Sequence, residues 1–348
     1  MLKDLEGNEV SMELIENRHI KVTGKSGTGK TYWVCQEIEK FVFNQIPVLI
    51  VDFSGSYTDR ELEKNFGKNQ KISIASSNPK MTSVIISAGK NTVENVTDAL
   101  IQILDVQSML QRQLLEEISW NVLKQSGYIS FKRLYDELLK MGSGEEESER
   151  GKNISFLMSR LYYLRNIDSF RIAMGTAKRK ADVVIMQFSD YPERVRKSLA
   201  QFFLEIEWRN ICEDEKQVQI ILDEFQLLSL EGTAIEEMLR EGRKYGVGMI
   251  LLSQYVPRSE AINILEQAAT SIYFQPNERN IIPTAQVISS EKYKEWIPIL
   301  KKLSIGTCVL SGEYSVNGHR LKQNRPIVCK VMFINFRRSC GIYGNRNQ

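Results

Sequence analysis

One stretch near the amino terminus has the residue types and spacing needed to bind the phosphates of a nucleotide. Residues 24–31 read GKSGTGKT and fit G-x-x-x-x-G-K-[ST] at every fixed position, between a predicted strand and a predicted helix. Glycines let successive backbone N–H groups turn toward a phosphate, and the helix N-terminus adds positive potential. We therefore expect ATP to contact this loop and the residue after it: Gly24, Lys25, Ser26, Gly27, Thr28, Gly29, Lys30, Thr31 and Tyr32.

Two adjacent carboxylates follow an apolar strand in the second half of the chain. Residues 218–222 read VQIIL and are followed by Asp223 and Glu224. In this pattern Lys30 reaches the β- and γ-phosphates, while Thr31 and Asp223 hold Mg²⁺. Glu224 can accept a proton from the attacking water as a general base. The pair indicates ATP hydrolysis rather than phosphoryl transfer to a metabolite.

A third element, residues 240–254, reads REGRKYGVGMILLSQ. Its strand ends at Gln254, which on a parallel sheet lies at the same edge as Lys30 and could sense the γ-phosphate or the attacking water. Arg243 and Lys244 stand at the end of the preceding helix. They are candidate catalytic cations, but cations that satisfy a helix C-terminus are an equally simple explanation.

Alternating strands and helices must position these motifs, which predicts an α/β fold with a mainly parallel central sheet. Strands are expected at 18–23, 48–51, 181–188, 217–222, 247–252, 269–274, 306–310 and 327–333, with a helix from Lys30 to about Phe43. Apolar residues recur every fourth position in 110–122, which predicts a helical insertion. We therefore divide the chain into a first ATPase part (1–89), a helical insertion (90–180), a second ATPase part (181–335) and a basic tail (336–348).

Composition restricts the class of protein but does not indicate a binding partner. The 348 residues are 42% hydrophobic and 26% charged, with a net charge of only +3, so a globular core is expected and any basic surface must be local. No apolar run is long enough to span a bilayer, and no signal peptide is evident. Five scattered cysteines without a CxxC motif favour a reduced, cytoplasmic chain. Only two histidines are present, which disfavours His-rich metallohydrolases.

Other nucleotide-binding classes fit less well. Residues 52–55 read DFSG and match the DxxG of GTPases, but no NKxD motif for reading guanine occurs. No LSGGQ-like signature supports an ABC-type dimer. Small kinases place their parts compactly, whereas Thr31 and Asp223 are far apart in this sequence.

The three motifs together resemble the HerA/FtsK superfamily of P-loop motor ATPases, especially its HerA-like branch. GKSGTGKT, IILDEFQ and REGRKYGVGMILLSQ carry the resemblance, which extends from about residue 20 to 331. It implies a RecA-like P-loop core and the roles given above for Lys30, Thr31, Asp223, Glu224 and Gln254. It also implies a homo-oligomeric ring, expected to be a hexamer, in which a basic residue reaches the neighbour's γ-phosphate; the candidates are Arg243, Lys244 and Arg279.

Two departures from the HerA-like pattern bear on function. Only a short segment precedes Gly24, so we expect the N-terminal β-barrel of HerA-like motors to be absent. The loop after the second strand reads FSGSY, where HerA-like chains often have HGEY, so an acidic residue is missing. The chain is therefore expected to be a minimal ATPase core that works with a partner.

Three functions remain open at this stage. The first is a DNA translocase or helicase-type motor that works with a nuclease or other effector, with antiphage defence as one setting that the resemblance suggests. In that case Lys178–Arg179–Lys180 and residues 194–197 are candidate DNA contacts, although solvated helix faces explain them as well. The second is a regulatory subunit that binds ATP and licenses a partner effector without moving DNA. The third, a DNA-transfer ATPase of a conjugative element, would normally dock at a membrane.

Overall fold

The described part of the chain consists of alternating strands and helices. The structure, a computed structural model, describes residues 2–12, 16–66, 72–144, 147–175, 181–214, 217–256, 261–320 and 325–332. Its strands are β1 (Leu2–Asp4), β2 (Glu9–Ser11), β3 (Ile20–Thr23), β4 (Val48–Asp52), β5 (Ile74–Ser77), β6 (Val84–Ser87), β7 (Tyr128–Ile129), β8 (Phe170–Ala173), β9 (Val183–Gln187), β10 (Val218–Leu222), β11 (Val247–Ser253), β12 (Thr270–Phe274), β13 (Thr307–Gly312), β14 (Ser315–Val316), β15 (His319–Arg320) and β16 (Ile327–Val331). Its helices are α1 (Lys30–Phe43), α2 (Asp59–Asn65), α3 (Thr92–Leu104), α4 (Met109–Ser126), α5 (Phe131–Gly142), α6 (Glu149–Leu161), α7 (Glu193–Asp214), α8 (Ala234–Glu241), α9 (Ala261–Leu265), α10 (Ile281–Ile288) and α11 (Tyr293–Lys302).

Thirteen of the described strands form one sheet with a parallel centre. The order is β15-β14-β2-β1-β16-β13-β12-β3-β11-β10-β4-β9-β5, and the strands from β12 to β5 run parallel. Strands β4, β10, β11 and β12 are buried along their whole length, which matches their mostly apolar sequences and a sheet covered on both faces. The predicted mainly parallel α/β core is confirmed.

Antiparallel strands extend this sheet beyond β12. β13 pairs with β12, β16 with β13, β1 with β16 and β2 with β1. The first residues of the chain therefore pair with its last described strand. The sequence patterns did not predict β1 and β2, because three-residue strands carry too little periodicity to be recognised.

Hydrophobic side chains cover both faces of the parallel centre. On one face, Ile221 of β10 and Ile250 of β11 lie in register and pack in one cluster with Trp33 and Ile38 of α1. On the other face, Ile220 belongs to a second cluster that continues into the helices between β6 and β9. Alternation along each strand thus divides the core into two layers.

The predicted helical insertion shares its core with the sheet. Helices α3 to α6 lie in it, and α3 packs along α7. It also contains strands β7 and β8, which join β6 in a second, three-stranded sheet that was not predicted. Phe131 of α5 meets Phe202 of α7 edge to face, with ring centroids 5.0 Å apart. The boundaries at 90 and 180 stay a prediction, and the tail at 336–348 lies outside the described residues.

Within the described ranges, no helix combines the length and the apolar character needed to cross a bilayer.

Candidate active site

The loop between β3 and α1 has the backbone shape of a phosphate cradle. Gly27 and Gly29 have φ angles of 77° and 108°, which side chains beyond Gly rarely adopt. α1 begins directly after Gly29, and its first turn contains no acidic residue. The first N–H groups of an α-helix have no acceptor within the helix itself, and no acidic side chain lies in this first turn, which suits an anion.

Three neighbouring strand ends hold the cradle in place through backbone hydrogen bonds. The Gly24 N–H donates to the Ser253 carbonyl (3.2 Å) and the Lys25 N–H to the Gln275 carbonyl (2.9 Å). On the far side, the Gly306 N–H donates to the Thr28 carbonyl (2.9 Å). A Cβ on Gly24 would lie 2.6 Å from the Phe274 Cβ, so only glycine fits there. The cradle is thus shaped by residues distant in sequence.

Lys30 folds over the cradle and lies close to both carboxylates. Its Nζ donates to the carbonyl oxygens of Gly24 (2.6 Å) and Lys25 (3.1 Å). Burial lowers the pKa of Lys30, while the charges of Glu224 and Asp223 act in the opposite direction. The residues from the two halves of the sequence therefore converge in space.

Asp223 emerges from the end of β10 into a nearly closed environment. Its residue surface is 6% exposed, and burial raises the pKa of its carboxyl to about 7. Asp52 and Glu224 add to that rise, whereas a hydrogen bond from Ser54 and the charge of Lys30 oppose it. The hydroxyl of Ser54 donates this bond to Asp223 Oδ2.

The loop after β4 is organised by the fully buried carboxylate of Asp52. Asp52 Oδ1 accepts the backbone N–H groups of Ser54 (3.1 Å), Gly55 (2.8 Å) and Ser56 (3.3 Å), and its Oδ2 accepts that of Tyr57 (3.1 Å). Burial raises the pKa of Asp52, and these four bonds counteract the rise. The acidic residue of the HGEY pattern is absent from this loop; Ser54 contacts Asp223, and Ser56 contacts Ser54.

Glu224 is held by two amides in an unusual backbone conformation. Its φ is 50°, in the left-handed region that costs a non-glycine residue about 1 kcal/mol or more. Gln254 Nε2 donates to Glu224 Oε1 (2.8 Å), and Gln226 Nε2 donates to Oε2. The proximity expected between Gln254 and the end of β10 is therefore present, and Gln226 is an additional contact that the sequence did not single out.

Arg243 and Lys244 lie at the other edge of the sheet. Both are exposed in the 3-10 turn Gly242–Tyr245, which precedes β11, whereas Lys30 follows the end of the parallel strand β3. β11 has seven residues, so roughly 20 Å of strand separates the two edges. Within one chain these cations are far from the cradle, and Lys244 makes an ion pair with Glu241 (3.3 Å). Any contact with a phosphate would have to be in a neighbouring subunit.

The turn that carries Arg243 lies against two basic residues that the sequence did not single out, the half-buried Arg18 and the buried His19. Arg18 Nη2 donates to the Gly246 carbonyl (2.6 Å). His19 is fully buried, and neither ring nitrogen has a hydrogen-bond partner among the residues that the structure describes. Burial, followed by the charges of Arg18 and Arg243, lowers the pKa of His19 to about 4. The imidazole is therefore neutral near pH 7.

The remaining predicted cations have different surroundings. Arg279 is exposed in the turn Glu278–Asn280 after β12, at the edge where the cradle lies. Arg194 is exposed and stacks over the Tyr163 ring, with 4.0 Å between the guanidinium carbon and the ring centroid. Arg196 donates to the Phe53 carbonyl (3.3 Å), and Lys197 pairs with Glu193 (2.9 Å). Lys178–Arg179–Lys180 lie outside the described residues.

The donor set at the cradle fits Mg²⁺. Asp223 supplies a carboxylate, Thr31 a hydroxyl at the start of α1, and Mg²⁺ prefers such hard oxygen ligands together with water and phosphate. Burial makes the Asp223 carboxylate costly to ionise on its own, which a nearby cation would offset. The positive charge of Lys30 opposes the rise in the pKa of Asp223 only in part.

Comparisons with known proteins agree with this fold. The family model for the central domain of the helicase HerA matches residues 9–206. The DNA double-strand break repair helicase HerA of Saccharolobus solfataricus is 22% identical over 336 residues. That match covers 88% of this chain and 65% of the relative, so the chain spans less than two thirds of the relative's length.

Two solved structures share the fold. VirB4 of Thermoanaerobacter pseudethanolicus is 14% identical, with a TM-score of 0.63 and 96% of each chain covered. The plasmid coupling protein TrwB in complex with ADP and Mg²⁺ is 12% identical, with a TM-score of 0.66, 91% of this chain covered and 86% of that one. At these identities, the likeness concerns the fold of the chain.

Proposed function

Because the chain belongs to the helicase HerA central-domain family, we propose that it hydrolyses ATP with Mg²⁺ at the cradle around Lys30. The observation that carries the proposal is the convergence of Lys30, Asp223, Glu224 and Gln254 at one edge of the sheet. These residue types supply a phosphate-binding cation, a metal ligand, a base and a polar sensor.

Each residue has a defined task in this proposal. The glycine-rich loop and Lys30 bind the β- and γ-phosphates, and Thr31 and Asp223 hold Mg²⁺, which neutralises charge on those phosphates when bound. Glu224 accepts the proton of the attacking water. Gln254, which bonds Glu224 Oε1, orients that carboxylate and reports whether the γ-phosphate is present.

We further propose that the chain works as a ring, with a hexamer expected. Arg243 and Lys244 are exposed at the edge opposite the cradle, where they are available to an adjacent subunit but not to their own site. An arginine supplied in trans can raise hydrolysis by about 10³–10⁵-fold, so assembly would control turnover. Arg279 lies at the cradle edge and is the weaker candidate for this role.

The substrate that the ring acts on is proposed to be duplex DNA. The family assignment supports this, and the exposed Arg194 beside Tyr163 is a candidate phosphate contact. Contacts of this kind depend on salt and not on sequence.

ATP turnover by the purified oligomer, measured with and without duplex DNA over a range of salt concentrations, tests this part of the proposal. DNA should raise turnover at low salt, and the stimulation should fall as salt increases. Turnover that never responds to DNA would contradict translocation and favour the alternative, a regulatory ATPase that licenses a partner effector.

A further inference from the structure

The loop between β4 and α2 contacts the metal ligand of the proposed ATPase through one hydroxyl. Ser54 Oγ donates to Asp223 Oδ2 across 169 positions of sequence. Among the described residues, no other side chain forms a hydrogen bond with the Asp223 carboxylate. The oxygen Oδ1 is therefore left for another ligand, while Oδ2 is fixed.

The hydroxyl protons in this loop can be assigned from the distances. Ser54 Oγ lies 2.6 Å from Ser56 Oγ and 3.3 Å from Asp52 Oδ1. A hydroxyl has one proton to donate, and Asp52 Oδ1 already accepts three backbone N–H groups. The Ser54 proton therefore goes to Asp223, and the Ser56 hydroxyl donates to Ser54. The result is a short chain of hydrogen bonds that ends on the carboxylate.

The rest of the protein holds this loop without help from the serine side chains. Asp52 binds four backbone N–H groups, Gln187 Nε2 donates to the Tyr57 carbonyl (2.9 Å), and Arg196 donates to the Phe53 carbonyl (3.3 Å). Tyr57 is fully buried. Removing a hydroxyl from Ser54 would thus leave the backbone of the loop where it is.

We propose that Ser54 is a positioning residue for Mg²⁺: it fixes one oxygen of Asp223 so that the other is aimed at the metal. This inference rests on the proposed function. The two serines of FSGSY thus give the loop a neutral hydrogen-bonding role, where an acidic residue would have placed a further negative charge beside Asp52, Asp223 and Glu224.

The test is the Mg²⁺ dependence of nucleotide binding, which does not require hydrolysis. A fluorescent ADP analogue is titrated with wild type, Ser54→Ala and Ser54→Thr, first in EDTA and then at increasing Mg²⁺. A hydrogen bond to a charged group is worth enough for Ser54→Ala to raise the half-saturating Mg²⁺ concentration about tenfold. Ser54→Thr keeps the hydroxyl and should restore most of the affinity for Mg²⁺.

Two controls separate the possible failures. Ser229→Ala removes an exposed hydroxyl from the segment that follows Asp223 and should leave the Mg²⁺ titration unchanged. An unaltered titration for Ser54→Ala, or an equal loss of affinity in EDTA and in Mg²⁺, would overturn the positioning role while nucleotide binding by wild type still supports the ATPase. A wild-type chain that binds no nucleotide would refute the ATPase itself, and the positioning role with it.

Discussion

Asp52→Asn is expected to weaken both the fold and the metal site, because Asp52 shapes the loop that reaches Asp223. An asparagine can keep the three bonds made by Oδ1, but its Nδ2 would then face the Tyr57 N–H, which now has an acceptor at 3.1 Å. The bond lost to a charged acceptor is worth about 1.5–3 kcal/mol, and the three remaining bonds weaken when the charge is removed.

A second effect acts against this loss. Asp52 is fully buried, and burial raises the pKa of its carboxyl, so the substitution also removes the cost of keeping a charge out of water. The two N–H donors that would then face each other, the side-chain amide of the new asparagine and the backbone N–H of Tyr57, have no such compensation. We therefore expect a net loss of about 2 kcal/mol in the free energy of unfolding.

Urea unfolding of wild type, Asp52→Asn and Asp136→Asn measures this loss. Asp136 is exposed on α5, and its substitution should change the free energy of unfolding by no more than about 0.5 kcal/mol. Asp52→Asn should also raise the Mg²⁺ concentration needed for nucleotide binding, because Ser54 moves with the loop. An Asp52→Asn protein as stable as wild type would refute the account of this loop.

Two further predictions concern the opposite edge of the sheet. Burial lowers the pKa of His19 to about 4 in the folded state, whereas the imidazole of the unfolded chain accepts a proton near pH 6.5. The neutral His19 therefore contributes fully to the free energy of unfolding above pH 6.5, and this contribution is lost as the pH falls toward 4. Between pH 7.5 and 5, wild type should lose about 2 kcal/mol more than His19→Leu in urea unfolding, and equal losses would show that the imidazole is not shielded. If Arg243 acts on a neighbour, mixing inactive Arg243→Ala and Lys30→Ala subunits should restore ATP turnover at least about tenfold, because some interfaces then combine an intact cradle with an intact arginine. A mixture as inactive as either variant alone would place Arg243 outside the reaction.

Local patterns predicted the parts of the fold that a short stretch of sequence determines. GKSGTGKT between an apolar strand and a helix was sufficient to predict β3, the cradle and α1, which begins at Lys30 as expected. VQIIL before Asp223 predicted β10 in the same way. Each depends on periodicity and turn chemistry within about 20 residues.

Contacts between distant residues could not be predicted in this way. The pairing of β1 with β16 joins the start of the chain to residue 331, and Ser54 reaches Asp223 from another strand. A serine in a loop has no pattern that identifies its partner. The nearest sequence signal was the departure FSGSY itself, which marked the loop as different without indicating its role. Arg196 was grouped with candidate DNA contacts, yet it supports this same loop.

The most direct test of the ATPase proposal is the initial rate of Mg²⁺-dependent ATP hydrolysis by wild type and by Lys30→Ala. Among the described residues, the Lys30 ammonium forms hydrogen bonds only with carbonyl oxygens of the cradle, so its removal should leave the fold intact, as the urea midpoint will show. We predict measurable hydrolysis by wild type and a rate lower by well over tenfold for Lys30→Ala. A folded Lys30→Ala protein that hydrolyses ATP at the wild-type rate would contradict the assignment of this loop as the phosphate-binding site.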